Sequence, residues 1–284
     1  MNEKVIMTPV ESDSQRIVLE TTIFKPDGDG PFPLIVINHA KSKGLAPKNH
    51  DRARYLFVTR EFIRRGYGVA LPMRQGFSKS GGVYVDTDCD IEADGNIQAS
   101  NIQGAIEYLK REPFVDKDRI VVVGYSHGGL ATLAVGARNI PGVHGLINFA
   151  GGIRINECEG WRSALVWAVT RYARLTRIPS LWFYGDNDSV FPPYIADWMY
   201  QQYNKAGGKA RLINFGKFGN DAHLMFDTPE GLPIWLPEVE KFLESLGLPH
   251  KPIIAVGDKP PTPHEQSRNV PQSGKDPFLK WERP

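Results

Sequence analysis

Gly124-Tyr125-Ser126-His127-Gly128-Gly129 lies between the apolar run Ile120-Val121-Val122-Val123 and the helix-compatible run Leu130 to Ala137, and the rest of the chain is read outward from this stretch. Four consecutive apolar residues, three of them valine, fit a strand buried on both faces. The glycines permit a tight strand-to-helix turn that lifts the Ser126 hydroxyl above the end of a sheet. The free N–H groups at the start of the following helix then point at any oxyanion formed there. Ser126 is therefore the candidate nucleophile, and the backbone N–H of His127 a candidate oxyanion donor.

Around this turn, strand patterns alternate with helix patterns. Arg16 to Phe24 alternates like a half-buried strand and stops at Lys25-Pro26-Asp27-Gly28, which suggests an antiparallel edge hairpin or meander. Further strands are expected at Leu34–Ile37, Gly68–Leu71, Arg119–Val123, Val143–Phe149, Ser180–Tyr184 and Ala210–Phe215. Helices are expected near 52–65, 92–110, 127–138, 161–176, 194–205 and 237–246. This order makes βαβ units, hence an α/β protein with about eight strands in a mostly parallel sheet and helices on both faces. Only one helix fits between Gly151 and Pro179, so any lid is minimal. The expected division is a single body over 1–248 and a proline-rich, irregular tail over 249–284, in which Phe278 and Trp281 are candidate anchors onto the body.

Composition narrows the partners. With 34 Lys+Arg against 32 Asp+Glu the net charge is +2, and no block of one sign appears, so neither nucleic acid nor an anionic membrane is indicated. No apolar run has the length of a spanning helix, and MNEKVIMTPVESDS has no apolar leader core, so the expectation is a cytoplasmic protein, or a periplasmic or secreted one if a leader has been removed. A small molecule is the expected partner, and oligomeric state is open. No cofactor and no metal are expected. Cys89 and Cys158 fall in no metal-spaced cluster and are either two ordinary thiols or one disulfide, a choice the sequence leaves open.

A serine hydroxyl needs a base to take its proton and a third group to hold that base. Of the histidines after Ser126, His127 belongs to the turn, His144 begins a strand, and His250 and His264 fall at or in the tail. His223 follows the last expected strand in a Gly/Asn/Asp loop, and is the candidate base. The acid is expected after Leu181-Trp182-Phe183-Tyr184, where Asp186 and Asp188 compete because a turn of this kind also uses one aspartate for its own backbone.

The chain order Ser, Asp, His resembles that of the α/β-hydrolase superfamily, over about Arg16 to Leu246, and within it the dienelactone hydrolase-like enzymes and prolyl-oligopeptidase-type serine hydrolases. The resemblance implies an α/β-hydrolase fold. Its Gly-x-x-Asp-x-x-Val-Pro pattern falls on Gly185, Asp188 and Pro192, with Phe191 in place of Val, and so favours Asp188 over Asp186. It also implies a second oxyanion donor in Asn38-His39-Ala40-Lys41, from the amide of Ala40 or Lys41, with His39 a structural hydrogen bonder. Met73 to Gly82 partly resembles the Arg/Gly/Ser loop of peptidase-like members, which makes Arg74 and Tyr84 candidate pocket residues. Trp161, with Trp167 and Tyr172, is a candidate apolar rim.

The expected activity is hydrolysis of carboxylic esters through an acyl-enzyme. The dienelactone hydrolases themselves use cysteine where this chain has Ser126, so that particular activity is not implied. A serine peptidase or amidase is the alternative, although the resembling peptidases carry a large gating domain. A non-catalytic binding protein on the same fold is the third reading.

Overall fold

The computed structural model describes residues 1–12 and 15–254. Among these residues eight strands form one sheet: β1 (Asn2–Ser12), β2 (Gln15–Lys25), β3 (Phe32–Asn38), β4 (Gly68–Pro72), β5 (Val115–Tyr125), β6 (Val143–Phe149), β7 (Ser180–Tyr184) and β8 (Ala210–Asn214). Their order across the sheet is β1-β2-β4-β3-β5-β6-β7-β8. The β1–β2 and β2–β4 pairs are antiparallel and all the others parallel. The described residues also form six α-helices, of which the first five lie between strands and the last follows β8: α1 (Leu56–Arg64), α2 (Ile91–Leu109), α3 (His127–Gly136), α4 (Trp161–Leu175), α5 (Pro193–Lys205) and α6 (Leu232–Ser245).

Alternation along the central strands divides the core. Ile120 and Val122 of β5 face a cluster built with α2, α3, α4 and α5, while Val121 and Val123 face a second cluster built with α1 and α6. Each such side chain, fully buried, contributes about 1.5–3 kcal/mol. α3 is buried along its whole length, which suits its Gly- and Ala-rich sequence. Where α3 begins, a Cβ on Gly128 would lie 2.1 Å from the Asn38 carbonyl oxygen, so only glycine lets helix and strand approach this closely.

The number of strands agrees with the sequence reading, but the first 12 residues hold a strand that no expected segment covered. Proline tolerates an edge position, and Pro9 lies on β1 at the edge of the sheet. The last helix starts at Leu232 rather than Pro237. Pro237 sits in its second turn, where it forfeits one backbone hydrogen bond. The pairing that the sequence leaves open is a disulfide: Cys89, just before α2, is bonded to Cys158, just before α4, across a sequence separation of 69. The chain just after Leu248 is tied to the end of α1 through Ile253 N–H to the Arg64 carbonyl (2.8 Å), and to the turn before β4 through Tyr67 Oη to the Pro249 carbonyl (2.7 Å). Phe278 and Trp281 lie outside the described residues. No helix among the described residues is long and apolar enough to cross a membrane.

Candidate active site

The parallel strands all end on one edge, and the loops leaving that edge carry the candidate residues. Ser126 links β5 to α3 with φ 54° and ψ −123°, a conformation that L-residues rarely adopt. Its backbone is pinned on both sides. Its N–H donates to Phe149 O (2.9 Å), and its carbonyl accepts from Gly129 N (2.8 Å) and Gly152 N (3.0 Å). The motif glycines meet steric demands as well: a Cβ on Gly124 would lie 2.1 Å from Gly128 O.

Across from Ser126, the loop after β7 and the loop after β8 are joined by polar bridges. Asp221 accepts from Ser189 N (3.0 Å), Ser189 Oγ (2.6 Å) and His223 N (2.9 Å), while Asn187 bonds the backbone of Phe218 in both directions. This brings His223 Nδ1 to 3.0 Å from Asp188 Oδ2 and His223 Nε2 to 3.0 Å from Ser126 Oγ. A carboxylate only accepts, so Nδ1 carries the proton and the Nε2 lone pair is left for the serine hydroxyl. Asp188 Oδ1 also accepts from Val190 N and Phe191 N, both at 2.8 Å, which fixes the carboxylate. Asp186 instead accepts from the Asn214 side-chain amide and does not reach the histidine. Phe191, where the resemblance has Val, packs its ring 5.7 Å from the His223 ring.

On the other side of Ser126, the Ala40 amide is committed. It donates to Tyr55 Oη at 3.1 Å, so its proton is not free for an oxyanion. Tyr55 precedes α1 with φ 40° and stands edge-on to Phe226 and Tyr125. Burial raises its hydroxyl to about 12, so it is protonated near neutrality. Because its oxygen already accepts from Ala40, its own proton is available to another acceptor. The His127 amide opens α3 and has no partner one turn back within the helix.

The family model of the X-Pro dipeptidyl-peptidase (S15 family) matches residues 13–170, more than half of the chain. The chain belongs to this family. No curated protein matches the sequence of this S15-family chain. Solved structures are similar to it at low identity and show its α/β-hydrolase fold. A Klebsiella pneumoniae subsp. pneumoniae protein, described as a dienelactone hydrolase, shares 17% identity over 87% of this chain and 99% of its own, with a TM-score of 0.57. Est1E from Butyrivibrio proteoclasticus, solved with ferulic acid, shares 19% over 84% and 98%, with a TM-score of 0.60. The acylaminoacyl peptidase of Pyrococcus horikoshii shares 18% over 91% of this chain but 44% of its own, with a TM-score of 0.61.

Three residues of the S15-family chain expected to meet a ligand are placed otherwise. Arg74 is fully buried, and its guanidinium donates to Gln98 Oε1 (2.9 Å), His39 O (2.6 Å) and His127 Nδ1 (3.3 Å), because α2 and α3 close over it. Trp161 is 5% exposed and packs edge-on against Phe191, so it belongs to the core rather than to a rim. Tyr172 is likewise buried, with its hydroxyl on Glu92 O (2.8 Å), while Trp167 is exposed. Tyr84 stays half-buried beside the His127 ring, donating to Asp94 Oδ2 (3.2 Å) and accepting from Lys41 Nζ (3.0 Å). Lys41 thus enters the site region by its side chain.

Beneath Ser126 lies a polar cluster in which geometry settles the protonation. Arginine can only donate, so His127 Nδ1 is an acceptor, and His127 Nε2–H donates to Asp94 Oδ1 at 2.6 Å. Burial depresses the His127 pKa, with Asp94 opposing, and the ring is neutral. Burial alone would raise Asp94, but the hydrogen bond from His127 and the nearby Arg74 charge outweigh it and hold the carboxyl below its usual range. His39 is also neutral: its Nε2 accepts from the Arg74 backbone N–H (3.0 Å), its Nδ1–H donates to Ala40 O (2.8 Å), and burial with the nearby Arg74 charge depresses it strongly. The structure brings together Ser126, His223 and Asp188, the three residues named from the sequence, while Tyr55, Asp94 and Asp221 were not named from it. The only local sign of Tyr55 was an aromatic at a helix start.

Proposed function

We propose that the chain is a serine hydrolase that cleaves carboxylic esters through an acyl-enzyme, with Ser126 as nucleophile, His223 as general base and Asp188 as the residue orienting it. The observation that carries this reading is the continuous relay of 3.0 Å contacts from Ser126 Oγ to His223 Nε2 and from His223 Nδ1 to Asp188. As Oγ attacks the acyl carbon its proton passes to Nε2, and Asp188 stabilises the resulting imidazolium. The carbonyl oxygen becomes an anion facing the Tyr55 hydroxyl and the His127 amide, each such donor contributing about 3 kcal/mol to the transition state. Nε2–H then protonates the leaving alkoxide, and water repeats the sequence to release the acid.

A second reading, cleavage after an X-Pro dipeptide, is favoured by the family match. The relay serves both, but an amine leaving group depends more on protonation by His223 than an alkoxide does. Turnover of p-nitrophenyl butyrate, compared with Gly-Pro and Ala-Pro p-nitroanilides, decides between them. The expected outcome is esterase activity well above dipeptidyl release. Dominant p-nitroaniline release reverses the order. In either assay Ser126→Ala is expected to lose at least about 10⁴-fold in kcat/KM and all labelling by a fluorophosphonate, with an unchanged thermal midpoint. Retained turnover removes Ser126 from the mechanism.

A further inference from the structure

The buried guanidinium of Arg74 reaches both halves of the oxyanion site at once. Nη1–H holds the His39 carbonyl at 2.6 Å. That carbonyl and the Ala40 N–H are the two ends of one planar peptide unit, so fixing one fixes the other. The Ala40 N–H in turn holds Tyr55 Oη at 3.1 Å. On the other side, Nη2–H holds Nδ1 of His127 at 3.3 Å, and His127 is the residue whose amide opens α3. One planar fork therefore spans the loop after β3 and the turn after β5.

The surroundings are arranged to keep it there. Gln98 turns Oε1 toward Arg74 Nε (2.9 Å), as a donor-only guanidinium requires, and its buried Nε2 is left without a partner. Asp94 supplies the counter-charge through His127 and is itself held by the Tyr84 hydroxyl. Burial lowers Arg74 to about 10, Asp94 opposing, so the fork remains charged near neutrality. Arg74 is fully buried, so its guanidinium presents no N–H to solvent, from which a substrate would come.

We propose that Arg74 is a positioning residue, which sets the Tyr55 hydroxyl and the His127 amide at the separation that a tetrahedral oxyanion requires. The proposal rests on the acyl-enzyme reading of Ser126. Donors to a developing charge act in the transition state and little in the ground state, so loss of the brace falls on kcat and leaves KM nearly unchanged. Lysine cannot replace it, since one ammonium lacks the planar fork needed to hold a carbonyl and an imidazole together.

The test is steady-state kinetics on a p-nitrophenyl ester for Arg74→Lys, Tyr55→Phe and the double variant. Arg74→Lys is expected to lose about 10- to 100-fold in kcat with KM within about threefold, and Tyr55→Phe about 10²- to 10³-fold. The double variant is expected to lose much less than the product of the two, because the brace then has one donor fewer to place. A raised KM at unchanged kcat, or strictly multiplicative losses, overturns the proposal. Should Arg74→Lys not fold, His127→Phe keeps an aromatic ring and removes the fork's hold on the elbow. A folded His127→Phe with wild-type kcat overturns the proposal equally. These failures differ from that of the underlying reading, which shows as turnover persisting in Ser126→Ala.

Discussion

The two sides of Ser126 are built differently. On the elbow side, backbone meets backbone at glycine distance, and a buried ionic cluster of Arg74, Asp94 and two neutral histidines lies beneath. On the base side, Asp188 and His223 stand on two loops joined by Asp221 and Asn187, side chains that are themselves only half-buried. The first arrangement is continuous with the core. The second is a clip between loops, and it can weaken without unfolding the sheet. A steric fault in the glycine backbone of the elbow should therefore register first as lost folding, and a fault in the clip on the base side first as lost rate.

Gly128→Ala presses this contrast hardest. Its Cβ would lie 2.1 Å from Asn38 O and 2.6 Å from His39 O, both backbone atoms with no rotamer to yield. Destabilisation of about 3 kcal/mol or more is expected, read as a large drop in the thermal midpoint. A stable, active variant would show that the elbow side is softer than described. Asp221→Ala probes the other side. It removes three acceptor contacts around the Ser189 and His223 backbones, and is expected to lower kcat about tenfold while costing about 1–2 kcal/mol in stability. A stability loss as large as that of Gly128→Ala would erase the distinction between the sides.

Asp227 ties the two sides together and gives the smallest effect. It follows His223 in the same loop and accepts from Phe57 N (3.0 Å) and Val58 N (3.2 Å), at the start of the helix that Tyr55 precedes. Burial pushes its pKa up to about 7, against the lowering by these two N–H bonds. A carboxyl raised above its unfolded value of 3.8 favours the fold fully below that value, and the benefit is lost as pH rises through about 7. Asp227→Asn keeps an acceptor and removes the titration. Relative to wild type it is expected to gain about 1–2 kcal/mol between pH 5 and pH 8, read from denaturation midpoints at the two pH values. A constant difference across that range would count against this titration.

What the sequence disclosed follows the same division of local from distant. Ser126 and His223 stand past strands in runs that mark their own turns, so neighbours in the chain suffice to name them, whereas Asp188 is separated from Asp186 only by the pattern of the resembling family. Tyr55 needed the Ala40 amide, 15 residues away, and a helix beginning at Leu56 rather than near Arg52. Arg74 is a pocket candidate from the partial resemblance of Met73 to Gly82 to the loop of peptidase-like members, but its burial is made by Gln98 and His127 from two later helices. β1 was missed because its pattern is inverted: Val5 and Met7 are exposed while Thr8 is buried, its hydroxyl on that of Thr21 at 2.8 Å.

The bond between Cys89 and Cys158 makes a covalent ring that contains Ser126 and leaves Asp188 and His223 outside it. In the chain-entropy picture a loop of this length, closed in advance, removes freedom equivalent to about 4 kcal/mol from the denatured ensemble. A protease that nicks the backbone once within that loop would leave the fragments migrating as one band until a thiol reductant parts them, so the nucleophile's segment would stay attached to the rest of the molecule after a single scission.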